Sequence, residues 1–345
     1  MVSIDRAYGM TREIVRDRPS ARRVHAIDTA KGVGIILVVF GHAWRGAYAA
    51  GLLGDAALFH VIDNMIYAWH MPLFFLLSGL LFLDLLERVP TQKLILSRAR
   101  QLLWPLAIWT WIFFGLKLVA GQAANHPVTL ADFPLIPLPP YEHLWFLWAL
   151  FLAQIATIPI YFLLRPMMDR RALRLVLGLG AVALVLLIPE IYMPSPLFGA
   201  AVEHFPYFIA GIALGGVAHL RPPGWLGVAA ALLFSLLIWG TMQVWASLLM
   251  SLCITVLGCI VIARLDPGTE EAPAGIRFLR YLGLYSLAIF LAHTIFSAAF
   301  RIALLAAGVV DLPVHLTVAT VVGIAGPILM LQASRWLGIA RWLGL

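Results

Sequence analysis

Charge is what this 345-residue chain has least of. Only 12% of its residues are Asp, Glu, Lys or Arg, against 62% hydrophobic. A soluble chain carries about 25% charged residues, so a water-exposed globular surface is excluded. No stretch is long and polar enough to form a separate soluble domain. Cysteine is almost absent: Cys253 and Cys259 share one apolar segment. Six helical residues put them roughly 9 Å apart along the axis, too far for a disulfide, and both read as small packing residues. There is no C-x-x-C or zinc spacing. There is also no G-x-S-x-G elbow, P-loop or G-x-G-x-x-G fingerprint, no internal repeat and no low-complexity tract. The formal charge of +7 does not indicate nucleic acid, because the basic residues sit in short clusters between apolar segments, as the positive-inside rule produces.

What remains is apolar chain. Ten segments reach membrane-spanning length: 32–50, 61–86, 102–120, 143–164, 173–190, 204–220, 224–240, 243–264, 281–303 and 313–334. They predict an all-α, polytopic integral membrane helix bundle of about ten transmembrane helices, the second long enough to tilt. All but three of the 24 Lys and Arg residues then fall on one side. The exceptions are Arg45, Lys117 and Arg301, in the outer halves of segments. That asymmetry predicts both termini in the cytoplasm. Residues 1–27 read as a basic cytoplasmic leader, solvated or lying on anionic lipid, and residues 28–345 as a single transmembrane domain. The first apolar segment is expected to act as an uncleaved anchor. Residues 90–101 are basic and modestly amphipathic, which predicts a stretch on the inner interface. The proline-rich outer loops at 121–142 and 190–203 read either as stiff covers over an outward cavity or as ordinary surface loops.

The first segment carries the anomaly that organises the rest. Asp28, Lys31, Ile35, Val38, His42 and Arg45 step by three and four residues and so share one helical stripe. Lys31 and His42 are roughly 16 Å apart along it. With Lys31 at the aqueous end, His42 falls near mid-bilayer, since the hydrocarbon core is about 30 Å thick. His70, in H-M-P-L-F-F-L-L-S-G, and His293 reach similar depth; Ser286 and Ser297 share the His293 face, with Arg301 further out. Ionisable side chains at this depth point to function. The competing reading is histidines hydrogen-bonded inside a packed bundle. Intramembrane carboxylates are nearly missing, which weakens a proton relay. A metal site built from three helices lacks any local ligand motif. Pro72 is expected to kink or loosen its helix and free a carbonyl. The aromatic run from His143 to Phe151 starts at an outer mouth and reads as an interfacial belt or a sugar-stacking platform.

Four stretches come in a familiar order. They are Asp28-x-x-Lys31-Gly32 with Gly41-His42, then His70-Met71-Pro72-Leu73-Phe74-Phe75 running into Ser78-Gly79, then Leu144-Trp145-Phe146-Leu147, and then Gly283-x-x-Ser286-Leu287 ending in His293. Together they resemble the membrane-bound acyltransferase type 3 family, in its fucose 4-O-acetylase-like branch, over nearly the whole chain. The resemblance implies an O-acetyltransferase of the cell inner membrane. Such an enzyme moves an acyl group, usually acetyl, from cytoplasmic acyl-CoA to a hydroxyl of a glycan or surface polysaccharide. Acetyl-CoA is then a donor substrate, and no cofactor is bound permanently. The family's motif His corresponds to His42 and its basic partner to Lys31, where many members carry Arg. No hydrolase-like domain is expected alongside this membrane domain.

The chemistry of the residues fits that expectation. A sugar hydroxyl needs a base at neutral pH, the role expected of His42. The thioester carbonyl becomes an oxyanion and needs donors, expected from His70, His293 and Arg45. The CoA donor is expected at Asp28 and Lys31, with its phosphates on Lys31, Arg98, Arg100 and Arg280. The acceptor is expected at Glu142, Trp145, Glu203, Ser286 and Arg301. The implied partners are acyl-CoA, the acceptor glycan and the bilayer, with no metal and no nucleic acid. Two further readings stay open at this point: a proton-coupled transporter or flippase using the same cluster, and a non-catalytic scaffold.

Overall fold

The structure is a computed structural model that describes residues 25–121, 127–191 and 194–345. Residues 1–24 of the leader and 122–126 of the first outer loop lie outside the described residues. Among the described residues there is no strand, and thirteen α-helices follow one another. Among the described residues, nine stretches are long and apolar enough to cross a membrane, and a further apolar helix, Gly199–Leu214, is shorter. The chemistry of lipid dictates this outcome, since a backbone without water must satisfy its own N–H and C=O groups. The protein is a multi-pass membrane protein.

The helices are α1 (His25–Ala49), α2 (Ala56–Tyr67), α3 (His70–Leu80), α4 (Phe82–Arg88), α5 (Thr91–Ala120), α6 (Trp145–Leu164) and α7 (Arg170–Ile191). They continue with α8 (Gly199–Leu214), α9 (Gly224–Thr241), α10 (Leu248–Leu265), α11 (Ala274–Leu284), α12 (Ser286–Ala306) and α13 (Leu312–Trp336). Starts are marked by side-chain caps. Asp55 accepts from the Leu58 N–H at 2.9 Å, and Asp311 from the Val314 N–H at 2.9 Å with a proline in the same turn.

Three expected segments are built differently. The second is not one tilted helix but α2, α3 and α4, broken at Ala68–Trp69 and again at Leu81. Pro72 accounts for the first break: it has no N–H for the Ala68 carbonyl, and its ring crowds that same carbonyl. Residues 90–101 do not form a separate interfacial stretch. They run straight into the following span as α5, because Leu102 and Leu103 are good helix formers and no breaker intervenes. The ninth segment does not start at Tyr281. Tyr281 lies inside α11, which ends at Leu284, and α12 begins after Tyr285.

The chain turns back on itself at Tyr285. In α11, Gly283 lies against the Asp28 carbonyl and Leu279 against Gly32, antiparallel to α1. In α12, His293 meets His42 and Arg301 meets Gly46, parallel to α1. A Cβ at Gly32 or Gly283 would run into the facing backbone, so these two positions permit the close approach. The central helix α1 is therefore gripped by both arms. At its start, Arg280 and Asp266 form a buried ion pair. Thr29 donates to Asp266 at 2.5 Å, the Gly268 N–H donates at 2.7 Å, and Arg280 donates to the Thr269 carbonyl at 2.6 Å.

The described parts of the two outer loops do not roof the interior. Trp111 ties the Pro134 carbonyl to the flank of α5 at 2.9 Å, and Trp148 ties the Leu197 carbonyl to α6 at 2.8 Å. Only the end of the first loop, Glu142 and His143, reaches inward.

Candidate active site

Around the far half of α1 lies a cavity of about 700 Å³. It takes Tyr67, His70 and Met71 from α2 and α3, and Lys117 from α5. Glu142 and His143 come from a short 3-10 turn, Trp145 from α6, and Thr294, Ser297 and Arg301 from α12. From α1 come His42, Arg45 and Gly46.

Three imidazoles meet there. The His42 and His293 ring centres are 4.8 Å apart, His42 and His143 5.6 Å, and His143 and His293 5.0 Å, each pair edge to face. Main-chain oxygens fix their orientation. His42 Nδ1 lies 2.9 Å from the Val38 carbonyl, and His70 Nδ1 2.8 Å from the Ile66 carbonyl. His293 Nδ1 lies 2.8 Å from the Phe290 carbonyl and 3.0 Å from that of Ile289. The Phe290 oxygen also receives His143 Nε2 at 3.0 Å. A carbonyl only accepts, so each of these ring nitrogens carries the hydrogen, and the other nitrogen of each ring is left as a lone pair. His42 is the partly buried member and lines the cavity, while His70 and His293 are fully buried.

This tautomer alters the expected division of roles. His70 and His293 spend their N–H on backbone, so their Nε2 atoms accept rather than donate. Arg45 is also committed. Its guanidinium grips Asp63 through Nε at 2.6 Å and Nη2 at 2.8 Å, and lies 3.4 Å over the Tyr67 ring. Only the remaining N–H groups of Arg45 are open to the cavity. Beside the cationic groups of Arg45, Lys117 and Arg301, the cavity residues include hydroxyl donors. Tyr67 OH and Thr294 Oγ1 are buried without a partner in the protein, as are the Nε2 atoms of His70 and His293. Leaving a buried polar group unpaired costs about 1–3 kcal/mol. Three of these atoms belong to cavity-lining residues, Tyr67, His70 and Thr294, and the fourth to His293 packed against His42, a cluster that suits a polar ligand.

The cavity mouth is charged. Lys117 pairs with Glu142, and the Lys117 ammonium lies 5.1 Å from the Tyr141 ring. Glu142 holds φ +49°, the left-handed region that a side chain rarely adopts. Strain of this kind persists where the surroundings over-determine it, and here it turns Glu142 toward Lys117 one residue before His143.

Six of the expected site residues come together here: His42, Arg45, His70, Glu142, Trp145 and Arg301, with His293 packed against them. Glu203 and Ser286 do not line the cavity, because Glu203 belongs to α8 behind Trp145 and Ser286 opens α12 two turns before His293. The expected donor cluster is not assembled. Arg280 is buried against Asp266, and Arg98 donates to Gln101 at 2.7 Å. Arg100 is exposed on α5, and Asp28 backs onto Gly283. Lys31 is separated from His42 by the fully buried Ile35 and Val38. The aromatic-run reading missed His143, and the stripe reading missed Tyr67, Asp63, Lys117 and Thr294.

The chain is similar to known proteins. The model of the acyltransferase 3 family, described as an acyltransferase domain, matches residues 24–332. Nodulation protein NolL of Mesorhizobium japonicum is 33% identical over 131 residues, which is 38% of this chain and 34% of that protein. Nodulation protein NolL of Sinorhizobium fredii is 32% identical over 139 residues, again 38% and 34%. The matched region thus spans about a third of each relative. No solved structure matches the chain. The chain belongs to the acyltransferase 3 family.

Proposed function

We propose that the protein moves a short acyl group, acetyl in the simplest case, from cytoplasmic acyl-CoA to a hydroxyl of a glycan at the inner membrane, with His42 as general base. The observation that carries this reading is the fixed His42 ring. Its Nδ1–H is tied to Val38, and its Nε2 lone pair belongs to a residue lining a cavity ringed by unpartnered polar atoms. Trp145, Arg301 and the Lys117–Glu142 pair give that cavity the mixed apolar and polar wall that suits a sugar.

The acceptor hydroxyl oxygen attacks the thioester carbon while His42 Nε2 takes the hydroxyl proton. A C–O bond forms and the carbonyl oxygen becomes an oxyanion, for which Tyr67 OH and Thr294 Oγ1 are the donors in this reading. The intermediate collapses, the C–S bond breaks, and His42 returns the proton to the departing CoA sulfur. The donor approaches along the Lys31 stripe, and Ile35 and Val38 must shift to admit the thioester.

The test is acyl transfer from acetyl-CoA to surface glycan in membranes containing the protein, read as free CoA release and as glycan mass. Transfer that depends on His42 supports the reading. Near-normal transfer by His42→Gln, normalised to inserted protein, removes His42 as the base.

A further inference from the structure

At the opposite end of the bundle lies a second hollow of about 360 Å³ that shares no lining residue with the first. Ile27 and Ala30 of α1, Leu77 of α3, and Val256 and Cys259 of α10 form its walls. Pro222 and Pro223, in the link from α8 to α9, form its lip. Its lining is aliphatic apart from one charged residue, Arg221 at the lip. A second arginine stands beside the first. The Arg221 guanidinium reaches the Arg264 carbonyl at 3.4 Å, and the Arg264 side chain lies across Gly227 with its Nη2 near Gly224. None of the ion pairs among the described residues involves Arg221 or Arg264. Beside them Trp225 is 73% exposed and Leu220 56% exposed, the mixture of aromatic and aliphatic surface that sits at a membrane interface.

We propose that this hollow binds one anionic phospholipid, its acyl chain in the aliphatic slot and its phosphate on Arg221 and Arg264. Charge complementarity selects this occupant. Two arginines at one lip, neither in an ion pair with a carboxylate among the described residues, attract a phosphate, and juxtamembrane arginines favour anionic over zwitterionic lipid. The slot is lined by no aromatic ring on which a nucleotide base could stack, which argues against the CoA moiety. Because Ile27 and Ala30 belong to the helix that carries Lys31 and His42, the lipid would brace the start of α1 against α3 and α10.

The experiment is native mass spectrometry of the full chain, released from mild detergent after incubation with phosphatidylglycerol or phosphatidylethanolamine. Wild type should retain one phosphatidylglycerol in preference to phosphatidylethanolamine. The double variant Arg221→Ala/Arg264→Ala should retain it about thirtyfold less, from about 1 kcal/mol per arginine. Ala218→Phe, which fills the slot and leaves both arginines, should lose the lipid too. The double variant changes surface residues, so it decides the matter even if Ala218→Phe folds poorly. Equal retention of both lipids by wild type, or undiminished retention by the double variant, would overturn the proposal. So would displacement of the lipid by millimolar CoA or inorganic pyrophosphate, which would mark the site as one for soluble phosphates.

Discussion

The two ends of α1 treat polar groups in opposite ways. At its start, Asp266, Arg280 and Thr29 are buried and satisfy one another completely. Around His42, the hydroxyls of Tyr67 and Thr294 and the Nε2 atoms of His70 and His293 are buried with no partner in the protein. Paired charges hold a helix in place, and unpaired polar atoms wait for a ligand. The contrast separates the part of the molecule built for position from the part built for chemistry, although both sit on one helix.

Four experiments would break or sharpen that contrast. The largest expected effect is at His42. General-base assistance is typically worth 10² to 10⁴ in rate, so His42→Gln and His42→Ala should both lose most turnover while inserting normally, as transfer per inserted protein will report. Next comes the lock. Asp266→Asn leaves Arg280 buried and uncompensated, a loss of about 3–5 kcal/mol, which should lower the thermal midpoint sharply but leave turnover of the folded fraction near wild type. Burial alone would raise the Asp266 carboxyl, but hydrogen bonds from Arg280, Thr29 and the Gly268 N–H outweigh it and hold it below the usual carboxylate range. A carboxyl held low contributes stability that is complete above its ordinary value and is lost as pH falls toward its folded one. Acidification should therefore lower the wild-type midpoint more steeply than that of Asp266→Asn, and parallel curves would refute the lock.

The third experiment is Tyr67→Phe, which removes an oxyanion donor. It should lower kcat by about 10² with little change in stability, since the hydroxyl has no partner to lose. A drop in the thermal midpoint with kcat intact would move Tyr67 from chemistry to packing. The smallest expected effect is at Lys31, where Lys31→Ala should raise the KM for acyl-CoA with kcat preserved, as loss of a contact made equally in ground and transition states does. An unchanged KM would remove Lys31 from the donor site.

The bundle and the His42 stripe were legible in the sequence because apolar length and helical spacing are local properties. What lay beyond local spacing was not. His143 follows a proline-rich loop on a 3-10 turn, so no helical stripe pointed to it, and its aromatic neighbours suggested an interfacial belt. The Arg45–Asp63 clamp spans eighteen residues across a bend between two helices. Charge counting saw Arg280 as one more inner cation and could not see Asp266 answering it from the end of another helix. Pro72 signalled a disturbed helix. That the break would place His70 at a helix start, its ring holding the Ile66 carbonyl, needed the fold.

The rings of His42, His70, His143 and His293 are all steered by main-chain oxygens. That has a genetic consequence. In a site steered by a carboxylate, a substitution scan finds a second position whose loss mimics the loss of the histidine. Here no single side-chain replacement at Val38, Ile66 or Phe290 removes the guiding atom, because every residue brings its own carbonyl. A saturation scan should therefore find no position at Val38, Ile66 or Phe290 whose substitution mimics loss of the histidine, and harm at the buried neighbours Val38 and Val39 should appear as lost folding rather than lost turnover of the inserted protein.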